Sequence, residues 1–419
     1  MAIQAFEAAT GILRDMYKGF IAQVNAEQSP LLKIIQPKSD KVFGQQVKFS
    51  AQLENPQGVA SRFNANQALP AAVPGKYIEL VVGTGRVYGV LEFDSKMLKA
   101  AGQNKEGKNA YVNYLENEMK GLKNTHIFEM SRQLFGKKTG FISACGTTSA
   151  SLTLVLAATA NMEYFVEGQH IDIVGNAGHA SPGVAIANGS DRVIQSVDID
   201  LKKIVLDSAG GVVTTDSTHS ITRQGAYNAE MTGLEAIISA TEDIYGITTA
   251  TQRRWKAYVN SVSTVLSEKA IAKTALAAKI RGGVYTDLIV SHPDKMQQYW
   301  YLLTGTKTFD TANKTVACEE LGTGYYKITI MVEGHKMEWV GDPHCPAGVI
   351  YGLRKEDIGI QHLGNPEFMD IAGEILLPNI YGTSGTPTVK AVLEYYPEFI
   401  CTRRNSHWVM TTVTDISGW

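Results

Sequence analysis

Apolar residues near the start of the chain recur at helical spacing. Phe6, Leu13, Met16, Tyr17, Phe20 and Val24 predict an amphipathic helix over Ala5 to Val24. It ends by Gln28-Ser29-Pro30, because the residue before a proline is pushed out of the α region. The period then changes to two. Val47, Phe49, Ala51 and Leu53 alternate with Lys48, Ser50 and Gln52, as in a strand with one apolar face. Its return partner is Tyr77 to Val82, and the connection from Glu54 to Gly75 is rich in Asn, Gln, Ala, Pro and Gly. Hairpin loops usually take roughly two to five residues, so this is a long ribbon with an extended tip. A two-stranded ribbon is marginal alone and offers free edges.

The longest helical signal follows. Lys108 to Phe135 carries Tyr111, Leu115, Met119, Leu122 and Met130 on one stripe, with Ile127 and Leu134 beside it and Gly136 placed to end it. Such a helix spans about 40 Å at 1.5 Å rise per residue. Residues 161–225 read as all-β: Ile171 to Val174, Val193 to Val197 and Lys203 to Leu206 are separated by Gly, Asn, Asp and Ser clusters. Mixed patterns resume with helical segments over Gly233 to Ser239 and Val265 to Ile280, the latter ended by Gly282-Gly283. A strand over Asp287 to Val290 is followed by Pro293 where a first helical turn tolerates proline. Later strands are expected at Tyr326 to Val332, Lys336 to Val340 and Lys390 to Tyr396.

Composition changes this picture little. The 419 residues suffice for two or three compact units, or one core with large excursions. Hydrophobic residues make up 44% and charged residues 19%, with 39 Gly, in keeping with many turns and short strands. A formal net charge of -2 gives no electrostatic basis for a dedicated nucleic-acid binder. No apolar run of about 18 residues occurs, and no basic stretch precedes an apolar core near Met1, so neither a membrane span nor a secretory leader is expected. Both Asn-X-Ser/Thr sequons, at Asn188 and Asn313, are therefore expected to be silent. Cys145, Cys318, Cys345 and Cys401 lack CxxC spacing and read as free thiols of a reduced compartment.

Each candidate for chemistry has a competing structural reading. Ser291-His292-Pro293-Asp294 holds the residue types of a hydrolytic triad, but neighbours at a strand end do not converge as nucleophile, base and orienter. It reads as a strand-to-helix turn. Gly83-Thr84-Gly85-Arg86-Val87-Tyr88-Gly89 is one residue off a dinucleotide fingerprint and lacks a clear following helix. Asp342-Pro343-His344-Cys345-Pro346 offers two zinc-type ligands without a second pair and reads as a rigid turn. His170 with Asp172, and Asp198 with Asp200, fall short of the roughly six oxygens a calcium site needs. Arg253-Arg254-Trp255-Lys256 could meet phosphate, but such runs are more often solvated faces or salt-bridge donors. No catalytic, cofactor-binding or metal residue is assigned.

The order of elements resembles tailed-bacteriophage major capsid proteins with the Hong-Kong-97-like fold. The resemblance rests on Arg86 to Asp94 leading into the long helix with Glu118 and Glu129. It continues through Thr222 to Ala226, Met231 to Leu234, Tyr245-Gly246-Ile247 and Trp255. Asp287 to Val290, Asp342-Pro343, Pro346-Ala347-Gly348 and Ile350 to Leu353 extend it into the C-terminal half. The resemblance implies an α+β fold with an N-terminal arm over 1–44 and an extended loop over 45–85. It implies a peripheral domain over 86–160 containing the spine helix 108–135, and a β-rich insertion over 161–225. An axial domain over 226–385 and a C-terminal strand over 386–419, returning to the peripheral domain, complete it. It further implies a non-enzymatic shell protein forming hexamers and pentamers, with scaffolding protein, portal and a cement protein as candidate partners. Double-stranded DNA would be enclosed without sequence specificity. The location implied is the virion, after synthesis and assembly in the host bacterial cytoplasm, with no membrane association and no cofactor. No Lys–Asn crosslinking pair is assigned. Alternatives are an encapsulin-type compartment, a phage-associated adhesin or decoration protein, and an enzyme.

Overall fold

The computed structural model of the chain describes residues 29–35, 37–61, 68–94, 105–306, 328–370, 377–378 and 388–416. The helix expected over Ala5 to Val24 lies outside them, as does Cys318. The chain divides into two compact units, one formed by Met1–Phe135 with Glu235–Trp419, the other by Gly136–Leu234.

The first unit begins with a short helix, α1 (Pro30–Ile34), which has proline at its first position and buries Leu31 and Leu32. Strands β1 (Val42–Phe43), β2 (Gln46–Glu54) and β3 (Lys76–Gly83) form one antiparallel sheet in that order. The period-two pattern in β2 is realised residue by residue: Val47, Phe49, Ala51 and Leu53 are buried, while Lys48, Ser50 and Gln52 face solvent. Phe49 stands opposite Leu80 and Val47 opposite Val82, so both strands turn their apolar faces to the same side. Strand β4 (Val87–Asp94) precedes the long helix α2 (Lys105–Phe135), which starts three residues before the expected Lys108. Its described buried face is Met119, Ile127, Met130 and Leu134. Gly89 on β4 lets helix and strand meet closely, since a Cβ there would stand 2.9 Å from Leu122 Cδ1.

The second unit contains β5 (Ser143–Ala144), β6 (Thr148–Ser151), β7 (Thr153–Val155), β8 (His170–Gly175), β9 (Arg192–Asp198), β10 (Lys203–Leu206), β11 (Val213–Thr215) and β12 (His219–Arg223). The six-stranded sheet runs β5-β12-β8-β9-β10-β7, and all its pairs are antiparallel. Its two ends then meet. Cys145 bridges Leu156, Ala157 N donates to Ala144 O at 3.0 Å, and Gly146 N donates to Val155 O at 2.8 Å. The sheet is therefore a closed barrel, which removes the edges that open sheets must protect. Its interior is apolar: Leu154, Leu156, Ile171, Ile173, Ile194, Ile204, Leu206 and Ile221 pack together. Of the strands over 143–155, β5 and β7 belong to the barrel along with the 161–225 block, while β6 pairs with β11 in a two-stranded sheet. All three are short and rich in Ser and Thr, so they carry too little apolar alternation to be read from sequence.

Past helix α3 (Leu234–Ile237) the chain builds the rest of the first unit. Its strands are β13 (Tyr258–Asn260), β14 (Thr264–Val265), β15 (Leu288–Ser291), β16 (Ile328–Val332), β17 (His335–Gly341), β18 (Ile350–Leu353), β19 (Ile358–His362), β20 (Glu367–Phe368), β21 (Leu377–Pro378), β22 (Thr388–Tyr395), β23 (Pro397–Cys401), β24 (Trp408–Met410) and β25 (Val413–Thr414). A mixed six-stranded sheet, β13-β24-β18-β15-β17-β16, carries the main core. Helix α4 (Glu268–Gly282) opens on Ser267, whose Oγ accepts the Ala270 N–H at 3.3 Å, and closes on Gly283 at φ 75°. Helix α5 (Pro293–Thr306) starts on its proline, as the sequence predicts. Ile271, Ala275 and Ala278 of α4 and Met296 and Tyr299 of α5 pack with Ile289, Trp339, Ile350, Trp408 and Met410.

The C-terminal chain serves two sheets. β22 pairs with β4 along its whole length and holds β20 and β21 on its other edge. β24, by contrast, lies inside the six-stranded sheet between β13 and β18. Trp408 stands opposite Gly352 there, and its indole N–H donates to Thr286 Oγ1 at 3.0 Å.

Two outcomes follow from this packing. Residues 136–234 expressed alone should fold and unfold cooperatively in denaturant, because the barrel closes on itself; a non-cooperative circular-dichroism melt would contradict it. Gly352→Ala should lower the stability of the whole chain by about 3 kcal/mol in chemical denaturation, since a Cβ at that position would land in the Trp408 ring.

Candidate functional site: an edge-exposed ribbon and its root

The ribbon formed by β2 and β3 has one face that the chain itself covers and edges that it does not. Among the described residues no strand pairs the outer edge of β3, and β1 covers β2 only at Val42–Phe43. Tyr77 is 66% exposed, and towards the tip Val59 and Leu69 are 92% and 88% exposed. Large apolar side chains held in solvent on an unpaired ribbon form a surface suited to another chain.

The covered face meets a defined root. Val47, Phe49, Ala51, Leu53, Leu80 and Val82 pack with Ile247, Trp255 and Ile400, with Tyr245 beside them. Phe49 and Tyr245 meet edge to face, their ring centroids 5.5 Å apart at 84°. Beneath lies the antiparallel β19–β23 pair. The incoming chain runs along β19: Lys38 N donates to Ile360 O at 2.8 Å, His362 N donates to Lys38 O at 2.9 Å, and Gln361 Nε2 donates to Asp40 Oδ1 at 2.8 Å. The outgoing chain touches β23, where Gly85 N donates to Pro397 O at 2.9 Å.

Tyr245 completes the edge of β23. Its hydroxyl donates to Phe399 O at 3.1 Å and accepts the Cys401 N–H at 3.2 Å. Those two backbone groups point away from β19, so one phenol stands where a neighbouring strand would otherwise pair. Burial pushes the Tyr245 phenol well above its usual pKa, so it remains a donor.

The sequence candidates lie as follows. Ser291 is buried; its Oγ accepts the Trp339 indole N–H at 2.8 Å and donates to His292 O at 3.0 Å. His292 Nδ1 accepts the Asp294 N–H at 3.3 Å, so the three residues form a turn rather than a relay. The glycine-rich segment after β3 leads into strand β4 and not into a helix. In the second unit, Asp172 accepts the N–H groups of Asp191 and Gly225, both at 2.8 Å, and His170 Nδ1 lies 2.6 Å from Asp191 Oδ1. Asp198 accepts the Leu201 N–H at 2.9 Å, closing a turn, and Asp200 is exposed. Arg253 and Arg254 are exposed, but Trp255 between them and Lys256 is buried in the ribbon root. Among the described residues no three His, Cys, Asp or Glu side chains are grouped to hold a metal ion. The described thiols are free and buried; burial pushes Cys145 and Cys401 up to about 12, and Cys345 is also raised.

Asp342 is a clamp that spacing did not reveal. It is fully buried, accepting the Leu31 N–H of α1 at 3.1 Å and the His344 N–H at 3.0 Å. Ser131 on α2 donates to Ser29 Oγ at 2.6 Å, and Phe128 meets the His344 ring at 4.8 Å. The α1 segment is thus fastened to both the long helix and the Asp342 turn. Burial raises the Asp342 carboxyl to about 6, against the pull of its two N–H partners.

No family model and no curated protein matches the sequence. Among solved structures, the chain is similar to a chain of the cyanophage A-1(L) capsid asymmetric unit. The TM-score is 0.53 at 13% identity, covering 94% of this chain and 95% of that one. A Mycobacterium phage Bobi chain aligns at TM-score 0.41 and 8% identity, covering 93% and 91%. The capsid of an empty GTA particle aligns at 0.43 and 8%, covering 93% and 91%. The chain has the mixed α+β, Hong-Kong-97-like fold of a phage capsid chain.

The Asp342 clamp makes stability depend on pH. The folded carboxyl keeps its proton up to about 6 while the unfolded one releases it near its ordinary 3.8. Its contribution is full below the unfolded value and is lost as pH rises through the folded one. Unfolding titrations at pH 4 and pH 7 should therefore show wild type losing on the order of 2 kcal/mol more stability over that range than Asp342→Asn.

Proposed function

We propose that this chain is a major capsid protein, assembling through hexamers and pentamers into the icosahedral head that encloses the double-stranded DNA of a tailed phage. The observation that carries this reading is the end-to-end fold likeness to a cyanophage capsid chain. The ribbon supports it physically: a subunit with unpaired strand edges and solvent-held Tyr77, Val59 and Leu69 is completed by a neighbour.

In this reading the segment 1–44 is an arm and 45–85 the extended loop that lies over an adjacent subunit. The sheet of β4 and β22 with α2 is the peripheral domain, the six-stranded sheet is the axial domain, and the barrel is an insertion. Scaffolding protein, portal and a cement protein are its partners, and the packaged DNA is contained without base readout. The role is structural and the location the virion.

Deleting residues 56–74, between the paired parts of the ribbon, should leave folded subunits that no longer form closed particles. Negative-stain microscopy of deletion and parent, each coexpressed with its scaffold, decides this. Normal shells from the deletion would overturn the ribbon's role, and no particles from the parent would count against the capsid reading.

A further inference from the structure

Tyr245 occupies a backbone position that its side chain does not favour. Residues Ile244 to Ile247 form a tight turn: Ile247 N donates to Ile244 O at 3.0 Å, and both central residues are left-handed, Tyr245 at φ 56° and Gly246 at φ 75°. Such type I′ turns ordinarily take Asn, Asp or Gly at the first central place. An aromatic residue there costs about 1–2 kcal/mol. The surrounding contacts hold the turn in place. Arg404 donates to the carbonyl oxygens of Ala236, Ile237 and Glu242, and Asp243 accepts from both Thr249 N and Thr249 Oγ1. A strained residue held this firmly points to a use for its side chain.

That side chain connects two parts of the ribbon root. Its hydroxyl spans the edge of β23 between Phe399 and Cys401, and its ring meets Phe49, midway along β2, edge to face. We infer that Tyr245 is the positioning residue of the ribbon, a wedge between β23 and β2 that fixes the direction in which the ribbon leaves its root. This inference rests on the proposed shell function for its purpose, because a ribbon that must reach a neighbour's surface has to leave at a set angle. The wedge itself is a property of the single subunit.

Replacing the residue separates the wedge from the turn. Tyr245→Gly relieves the backbone strain and removes the ring and hydroxyl; Tyr245→Phe keeps the ring and removes only the two hydroxyl bonds. Amide hydrogen exchange on unassembled full-length chains reads the result, with residues 288–291 and 350–353 of the six-stranded sheet as internal reference. In Tyr245→Gly the amides of 46–54 and 76–83 should exchange about tenfold faster while the reference stays constant. In Tyr245→Phe the Cys401 amide should accelerate, and the ribbon amides less than in the glycine variant. Unchanged ribbon exchange in both variants, or ribbon and reference accelerating together, would overturn the wedge and leave a plain core residue. Should Tyr245→Gly fail to fold, Tyr245→Asn, which also suits the left-handed position and lacks the ring, decides by the same comparison. Because the measurement uses unassembled chains, its failure is distinct from a failure to form shells.

Discussion

Every strand at the edge of a sheet carries backbone N–H and C=O groups that need partners, and the fate of those edges organises this molecule. The second unit removes the problem by closure, the Cys145–Leu156 bridge joining the first strand of its sheet to the last. The β19–β23 pair solves it piecemeal: Lys38 and its neighbours pair along β19, while Gly85 N and the Tyr245 hydroxyl serve β23. The ribbon leaves it unsolved, among the described residues, along the outer edge of β3 and most of β2. Apolar side chains such as Tyr77 and Leu69 sit beside the same open edges.

Three buried charged groups, Arg192, Arg404 and Asp342, act on loops. Arg192, with no exposed surface, donates to Asp207 Oδ1 at 2.8 Å and to the carbonyl oxygens of Asn188 and Gly211, both at 2.7 Å, drawing three loop segments of the barrel together. Arg404, equally buried, uses only carbonyl oxygens, which fastens the segment leading to the Tyr245 turn. Asp342 does the same for α1 with acceptors in place of donors. A guanidinium has a fixed fork of five donors and a carboxylate about four acceptor sites, so each can hold several chain segments that share no regular structure. Removing one such group strands several partners at once, which is costly in a buried setting.

Much of this was legible in sequence where one physical rule acts over a short range. The alternation of Val47, Phe49, Ala51 and Leu53 required a strand buried on one face, and the 108–135 stripe required a long helix. Pro293 and Gly283 marked a helix start and end where they occur. The family resemblance picked out Tyr245-Gly246-Ile247 and Trp255, and those side chains converge at the ribbon root. Their joint role was not readable, because Phe49, Tyr245 and Ile400 lie far apart along the chain and meet only in the folded structure. Arg253-Arg254-Trp255-Lys256 shows the same limit. Its charges are solvated, while the tryptophan between them is a core anchor, a split that local composition does not reveal.

By itself the sequence determined the periodicities, and with them which residues could form strands and helices and which face of each is apolar. Those follow from backbone geometry, in which side chains alternate every two residues or return after 3.6. Tertiary structure alone decided how edges are satisfied: that the barrel closes, that β24 enters the six-stranded sheet while β22 pairs with β4, and that a strained tyrosine caps β23. Each depends on backbone groups, identical in every residue, being brought together by packing between distant segments. Among the described residues, the outer edge of β3 is one that this packing leaves without a partner strand.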